Sequence, residues 1–285
     1  MLNFTRYLFC ALLFAFPCWS NAEEINGASW MQEIGDDTEL SRITMPGTHD
    51  SGALHGRIFA QCQNLTITQQ LDAGVRFLDI RCKVVKGEFR IFHGIADQKM
   101  SFVEVRDVCE AFVKAHPTET IVMSIKDEGS RGLRKGQFGR LLKKYVKPQK
   151  ALWYQKNEVP QLKDVRGKIV VVSRNSEVDG IQWKDCKIQD AYRVSGKKEI
   201  AQKWQKFLAH SKLAKESKQG WYINYASGTG LFSTPNVVAG ELNPKILKLY
   251  QKAKPHYQGV IMLDFATKAL ADEIIKLNEA QKNEQ

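Results

Sequence analysis

Two histidines, one arginine and several carboxylates stand where short apolar runs of this chain give way to glycine or to a turn. PGTHDSG, Pro46 to Gly52, sets His49 directly before Asp50 between Gly47 and Gly52. FHG places His93 after a second run, LDIRCK carries Asp79 and Arg81, and IMLDF carries Asp264. Two histidines that meet at one site can divide proton transfer, one taking a proton from a nucleophile and the other giving one to a leaving group. An arginine between them holds a tetrahedral oxyanion such as phosphate by a two-pronged contact. Together these residues describe metal-free cleavage of a phosphodiester. The division of labour asks for His49 neutral and His93 protonated. Asp50 and Asp264 can set that difference, and the residues alone leave open which carboxylate serves which histidine. Taken by itself, PGTHDSG has a plainer reading as a polar turn, since Gly, Thr, Asp and Ser are ordinary turn residues.

The elements that must position these groups follow from periodicity. Over Val75 to Val85, alternation puts Phe77, Asp79 and Arg81 on one face and Leu78, Ile80 and Cys82 on the other. Glu88 to Phe92 reads as a strand ending at His93. Ser101 with Glu104 forms a capping box that opens a helix running to about Ala115. Further strands are predicted at Thr120 to Asp127, at KIVVVSR ending in Arg174, at Ile188 to Arg193, at Trp221 to Ser227 and at Gly259 to Phe265. Helices are predicted near Gln137 to Val146, near Gln161 to Val165, from Lys197 to Lys215, and from Asn243-Pro244 to about Lys252, with Thr267 capping a terminal one. About eight strands alternating with helices, without a GxGxxG fingerprint, predict a single-domain α/β fold, a distorted (β/α)8 TIM-type barrel. His49, Arg81, His93, Lys126, Arg174, Asp190, Tyr192 and Asp264 all fall at or just past C-terminal strand ends, which converge on one mouth in such a barrel.

Bulk properties narrow the setting. Arg6 precedes an apolar run from Tyr7 to Trp19 that ends in Ser20-Asn21-Ala22, the pattern of a secretory signal peptide over residues 1–22. The run is short for a membrane-spanning helix and contains Pro17, so a barrel domain over 23–285 is expected to be secreted or periplasmic after cleavage near Ala22. Losing Arg6 from the 42 basic residues leaves an excess of 10 over the 31 acidic ones. That surplus favours an anionic partner, nucleic acid or a negatively charged lipid surface, and no nucleic-acid motif is present. Cys62, Cys82, Cys109 and Cys186 can form two disulfides in any of three pairings or remain thiols. None has metal-site spacing, and no GxSxG, P-loop or HExxH is found. His55, His116, His210 and His256 read as structural or solvated.

In order along the chain, PGTHDSG, LDIRCK, FHG, SIKDE, VVSR, IQDAY, NYASG and IMLDF resemble the X-domain-type phosphatidylinositol-specific phospholipase C family in its bacterial secreted branch. The resemblance implies cleavage of phosphatidylinositol to diacylglycerol and inositol 1,2-cyclic phosphate. It implies His49 as general base oriented by Asp264, His93 as general acid assisted by Asp50, and Asp79 as a support of the mouth. Arg81 would bind phosphate where calcium-using relatives place their ion, so no cofactor or metal is expected. Lys126, Arg174, Asp190 and Tyr192 would hold the inositol ring. The substrate would be phosphatidylinositol or its glycosylated form in a membrane, met by a monomer through peripheral contact. Ile58, Phe59, Leu231 and Phe232 are candidates for shallow insertion, although burial is the commoner state of such residues. The rival readings are a head-group-binding module without turnover and a metal-dependent glycerophosphodiesterase.

Overall fold

The computed structural model describes residues 25–281 apart from Lys218. The expected signal peptide and its Cys10 and Cys18 lie outside the described residues. Eleven strands form one curled sheet: β1 (Met45–Thr48), β2 (Phe77–Val85), β3 (Glu88–His93), β4 (Ala96–Ser101), β5 (Thr120–Asp127), β6 (Trp153–Tyr154), β7 (Lys168–Ser173), β8 (Ile181–Gln182), β9 (Lys187–Gln189), β10 (Tyr222–Tyr225) and β11 (Val260–Leu263). The wall runs β6-β7-β5-β2-β1-β11-β10-β9, with every neighbouring pair parallel. β8 continues the β7 edge, and β3 and β4 extend β2 as an antiparallel flap. Among the described residues no ladder joins β9 to β6 or β8, so the barrel is open on that side.

The helices are α1 (Arg57–Ala60), α2 (Ile67–Asp72), α3 (Phe102–Ala115), α4 (Gln137–Val146), α5 (Leu162–Val165), α6 (Lys197–Glu216), α7 (Pro235–Tyr250) and α8 (Lys268–Ile275). Alternation along each strand sorts the core into an inside and an outside. Phe77, Val122, Val170, Val172, Ile223, Tyr225, Val260 and Met262 fill the barrel interior. Leu78, Ile80, Cys82, Ile121, Met123 and Ile125 face outward against α2, α3 and α4. Ile261 and Leu263 do the same against α6, α7 and α8. The faces predicted for β2 and β5 are therefore the faces observed, and Asp79 and Arg81 are carried to the inside. The capping box of Ser101 and Glu104 is formed as predicted. No helix among the described residues is long and apolar enough to cross a membrane.

Several elements differ from expectation. Met45–Thr48 is strand rather than the lead-in to a loop, and Gly47 makes this feasible. A Cβ there would lie 2.5 Å from Met262 Sδ and 3.1 Å from Phe77 Cβ, so glycine lets β1 fit between β2 and β11 without displacing those side chains. The strand expected over Ile188 to Arg193 stops at Gln189, which leaves Asp190 and Tyr192 in the following loop. α7 starts at Pro235 and runs through Pro244 instead of beginning there; Pro235 takes the first helical position, where its missing N–H costs nothing. β4, like α1, α2, β6 and β8, has no counterpart in the predicted elements. All four described cysteines are free thiols.

The opposite end of the barrel has its own buried charges. Arg76 and Glu119, both fully buried, pair at 2.7 Å just before β2 and β5. Arg76 also donates to the carbonyls of Gly27, Leu71 and Val75, and Glu119 accepts from the Met31 amide. Every polar atom there has a partner, as a pair that ties the N-terminal segment to the barrel floor requires.

Candidate active site

The ends of β1, β2, β3, β5, β7 and β11 bring expected residues to one mouth. His49 follows β1 and Asp264 follows β11, and the parallel register of these strands places Thr48 beside Leu263. His49 Nδ1 and Asp264 Oδ1 are 2.7 Å apart. On the other side of the ring, His49 Nε2 lies 2.7 Å from Arg81 Nη2. A guanidinium can only donate, so Nε2 accepts and the proton sits on Nδ1, donated to Asp264. His49 is held as a neutral imidazole with its lone pair turned toward the mouth.

Arg81 is the hub. Its Nη2 and Nε donate to Asp79 Oδ2 at 3.0 and 3.2 Å, and its Nη1 lies 3.0 Å from Asp50 Oδ2 and 3.8 Å from Glu128. Asp50 also lies 3.5 Å from His93 Nε2. His93 Nδ1 meets the Ala60 carbonyl at 2.9 Å, which fixes that ring nitrogen as a donor and turns Nε2 inward. The two imidazoles stand edge to face with centroids 6.3 Å apart. The pairing that the residues left open is thus resolved geometrically: Asp264 touches His49, and Asp50 approaches His93.

Two backbone features aim these groups. Asp50 has φ of +47° and Phe265 has φ of +48°, so a left-handed residue follows His49 and another follows Asp264. Asp tolerates that conformation, whereas for Phe it is strained. The Phe265 amide is held on the Cys62 carbonyl at 2.7 Å. Gln63 Nε2 donates to the carbonyls of both His49 and Leu263 at 2.8 Å and clamps the two strand ends together.

The electrostatics are those of a buried network. Burial and Arg81 by themselves would depress the His49 imidazole, yet the charge and hydrogen bond of Asp264 together with the Asp50 charge outweigh them, and its pKa is raised above 6.5. Burial lifts the Asp50 carboxyl above its ordinary value despite Arg81, His93 and His49 nearby. Both Asp50 oxygens lack an aligned hydrogen bond, so the 3.0 Å contact with Arg81 is charge attraction only. Asp79 is the opposite case. Burial would raise it, but Arg81 and Arg174 hold it far below the usual carboxylate range. It also accepts from Ser124 Oγ at 3.0 Å, so it stays ionised as the anchor of both guanidiniums.

Of the expected ring-binding residues, Arg174 joins this network directly: Nη1 is 3.0 Å from Asp79, and its guanidinium lies 4.3 Å from the Trp183 ring centroid. Lys126 joins at one remove, 2.7 Å from Glu128, which also accepts the Gly94 amide. Asp190 and Tyr192 are exposed, and no hydrogen bond ties either to the histidine pair; the Tyr192 hydroxyl accepts from Arg193 instead. Tyr225, Glu128 and Trp183 were not singled out from sequence. Tyr225 is 5.8 Å from His49 ring to ring and 3.5 Å from Arg174 through its hydroxyl. Its signal was available: alternation along β10 places it with Ile223 on the inner face at the strand end. Ile58 is 58% and Phe59 71% exposed, Leu231 80% and Phe232 78%. All four therefore stand in solvent rather than in the core.

The comparisons with known proteins agree with this architecture. Residues 37–175 match the family model described as phosphatidylinositol-specific phospholipase C, X domain. A 1-phosphatidylinositol phosphodiesterase of Listeria monocytogenes is 30% identical over 312 aligned positions, covering 95% of this chain and 96% of that protein. One of Staphylococcus aureus is 28% identical, covering 84% of this chain and 88% of that one. The solved structure of phosphatidylinositol-specific phospholipase C from Listeria monocytogenes superimposes with a TM-score of 0.80 at 28% identity, over 90% of this chain and all of that one. With the X-domain match, the relatedness along nearly the whole length and the shared TIM-type barrel, the chain belongs to the phosphatidylinositol-specific phospholipase C family.

Proposed function

We propose that the protein is an exported phosphatidylinositol phospholipase C, freed from residues 1–22 near Ala22, that works by paired-histidine acid-base catalysis without calcium. The observation that carries this is the placement of Arg81 between two histidines, each with its own carboxylate. In the reaction Arg81 leaves His49 Nε2 for a phosphate oxygen. The freed Nε2 takes the proton of the inositol 2-hydroxyl as that oxygen attacks phosphorus. His93 Nε2 gives its proton to the diacylglycerol oxygen as the P–O bond to it breaks, and Asp50 stabilises the imidazolium before transfer. Attack by a hydroxyl of the same molecule needs no second reactant to be captured, which favours a cyclic product. Arg81 fills the space between Asp50, Asp79 and Glu128 and supplies the positive charge that a cation would bring, which supports calcium independence. Arg174 and Lys126, with the Tyr225 and Trp183 rings behind Arg174, line the place for the inositol ring, and Asp190 and Tyr192 reach it from the loop after β9.

The test is release of water-soluble inositol phosphate from phosphatidylinositol vesicles by the purified protein, with chelator present. Cyclic inositol phosphate is the expected first product. Inositol binding without release would favour a head-group module, and release that needs a divalent cation would favour a metal-dependent diesterase.

The exposed residues of α1 and of the loop after β10 fit shallow insertion into a lipid surface, and the excess positive charge favours an anionic one. Changing Ile58, Phe59, Leu231 and Phe232 together to Ser is expected to weaken vesicle binding by about 100-fold or more. Burying each such side chain is worth about 1.5–3 kcal/mol when complete, and partial insertion gives a fraction of that. Hydrolysis of a soluble inositol phosphodiester should be unchanged. Sedimentation with vesicles checks the first expectation, and equal vesicle binding by the fourfold variant would remove these residues from the contact.

A further inference from the structure

Cys62 takes no part in the proton transfers proposed above, yet it stands between the two histidines. Its Sγ lies 3.7 Å from His93 Nδ1, a nitrogen already bonded to the Ala60 carbonyl. On its other side, one potential ligand atom from each of His49, Cys62 and Asp264 falls within 4.8 Å of the other two. Cys62 and Asp264 are buried, while His49 opens to the mouth. Asp264 gives Oδ1 to His49; its Oδ2 is buried without an aligned hydrogen-bond partner, and the Cys62 thiol interacts with the same carboxylate. A buried carboxylate oxygen without a donor is costly unless something positive meets it.

Imidazole nitrogen, thiol sulfur and carboxylate oxygen together make a donor set for zinc rather than for calcium or magnesium, which take oxygen. Zinc bonds of about 2.0–2.3 Å put tetrahedral neighbours roughly 3.5 Å apart, so ligand atoms that lie within 4.8 Å of one another close on the ion by contracting at most about 1.3 Å. A second grouping, Asp50, Cys62 and His93, shares the same sulfur. There, however, Asp50 is already ion-paired with Arg81. The Arg81 cation meets His49 through Nε2, so it leaves the Nδ1 side to Asp264.

We propose that His49, Cys62 and Asp264 form an inhibitory site for a thiophilic divalent cation of the zinc class. The ion bonds to Cys62 Sγ, to His49 Nδ1 and to an Asp264 oxygen. The S–H bond breaks and its proton leaves to solvent, the Nδ1 proton is displaced to Nε2, the other ring nitrogen, and no electron is transferred. His49 loses its hydrogen bond to Asp264, and its Nε2, now carrying the ring's proton, has no lone pair left to take the 2-hydroxyl proton. The inhibition rests on His49 being the general base; metal binding at Cys62 does not.

Cobalt(II) reports the site directly. Titrating the full chain with cobalt should raise a thiolate-to-cobalt charge-transfer band in the near ultraviolet that zinc discharges. The band should persist in Cys186→Ser, which removes the partly exposed thiol, and be absent from Cys62→Ala and Cys62→Ser. Zinc buffered at about ten times its dissociation constant should cut wild-type turnover roughly tenfold by mass action, reversibly with chelator. The Cys62 variants should keep wild-type turnover and resist zinc. Absence of the band, or its survival in both Cys62 variants, overturns the site and leaves the role of His49 untouched. A Cys62-dependent band with undiminished turnover overturns the inhibition, and His49→Ala turnover then shows separately whether the base assignment has failed.

Discussion

His49→Ala is expected to lower turnover of phosphatidylinositol by about 10²–10⁴-fold, and His93→Ala by a similar factor, the usual worth of a positioned acid or base. The double variant should be little worse than either single one, because two groups that move protons in one step do not contribute independently. Circular dichroism should stay native, since both rings lie at the mouth and the barrel interior is untouched. The pH profile carries the sign. His49 must be neutral to accept a proton, and Asp264 raises its pKa above 6.5. The acid limb of kcat/KM should therefore fall, as pH drops, through a pKa above 6.5. Asp264→Asn removes the carboxylate that raises it, so the limb should move to lower pH while the maximal rate drops. Steady-state kinetics on a soluble inositol phosphodiester reads both effects, and full activity in His49→Ala would end the mechanism.

Arg81→Lys is expected to cost about 10²–10³-fold in kcat/KM. A lysine keeps the charge but lacks the fork that spans His49, Asp79 and Asp50 and that would grip a phosphate. Arg81→Ala should fall further and also lose stability by about 3–5 kcal/mol, because Asp79 and Asp50 are then left buried without their cation. Thermal melts separate the two: the Lys variant should melt near wild type and the Ala variant well below it. Wild-type turnover should not respond to chelator, since Arg81 already occupies the centre of the carboxylate ring. Activity lost in chelator and restored by calcium would show that Arg81 does not do a cation's work.

How far the site can be read from sequence depends on where each residue sits. Asp79 and Arg81 were legible because β2 separates charge from apolar side chains over a full strand, and that pattern survives in three dimensions. His49, His93 and Asp264 were legible because each closes a strand. Asp190 and Tyr192 were read as part of a strand, whereas they follow it in a loop, because β9 is only Lys187–Gln189, too short for alternation to mark its end. The flap strand β4 was missed for a related reason: its most deeply buried side chain is Gln98, held on the His55 amide, and a polar residue turned inward looks like a loop. Tyr225 was overlooked because an inward aromatic looks like core until its hydroxyl is seen against Arg174. Arg76 and Glu119 show the converse limit. They are as charged and as buried as the mouth residues, and only their position at the start of strands, with every partner satisfied, marks them as scaffold.

The register of β1 against β11 has a consequence in time as well as space. His49 and Asp264 are 215 residues apart in the chain, and they meet only when the first strand of the barrel zips to the last. Contacts of such long sequence separation carry a large loop-closure cost and tend to form late. A chain still being synthesised, or one that has lost its last fifty residues, can build β2, β5 and β7 and place Arg81 and Arg174, yet its His49 has no Asp264 to orient it. Catalytic competence thus reports closure of the barrel itself, and a lipid-cleaving activity stays off until the whole polypeptide has emerged and folded.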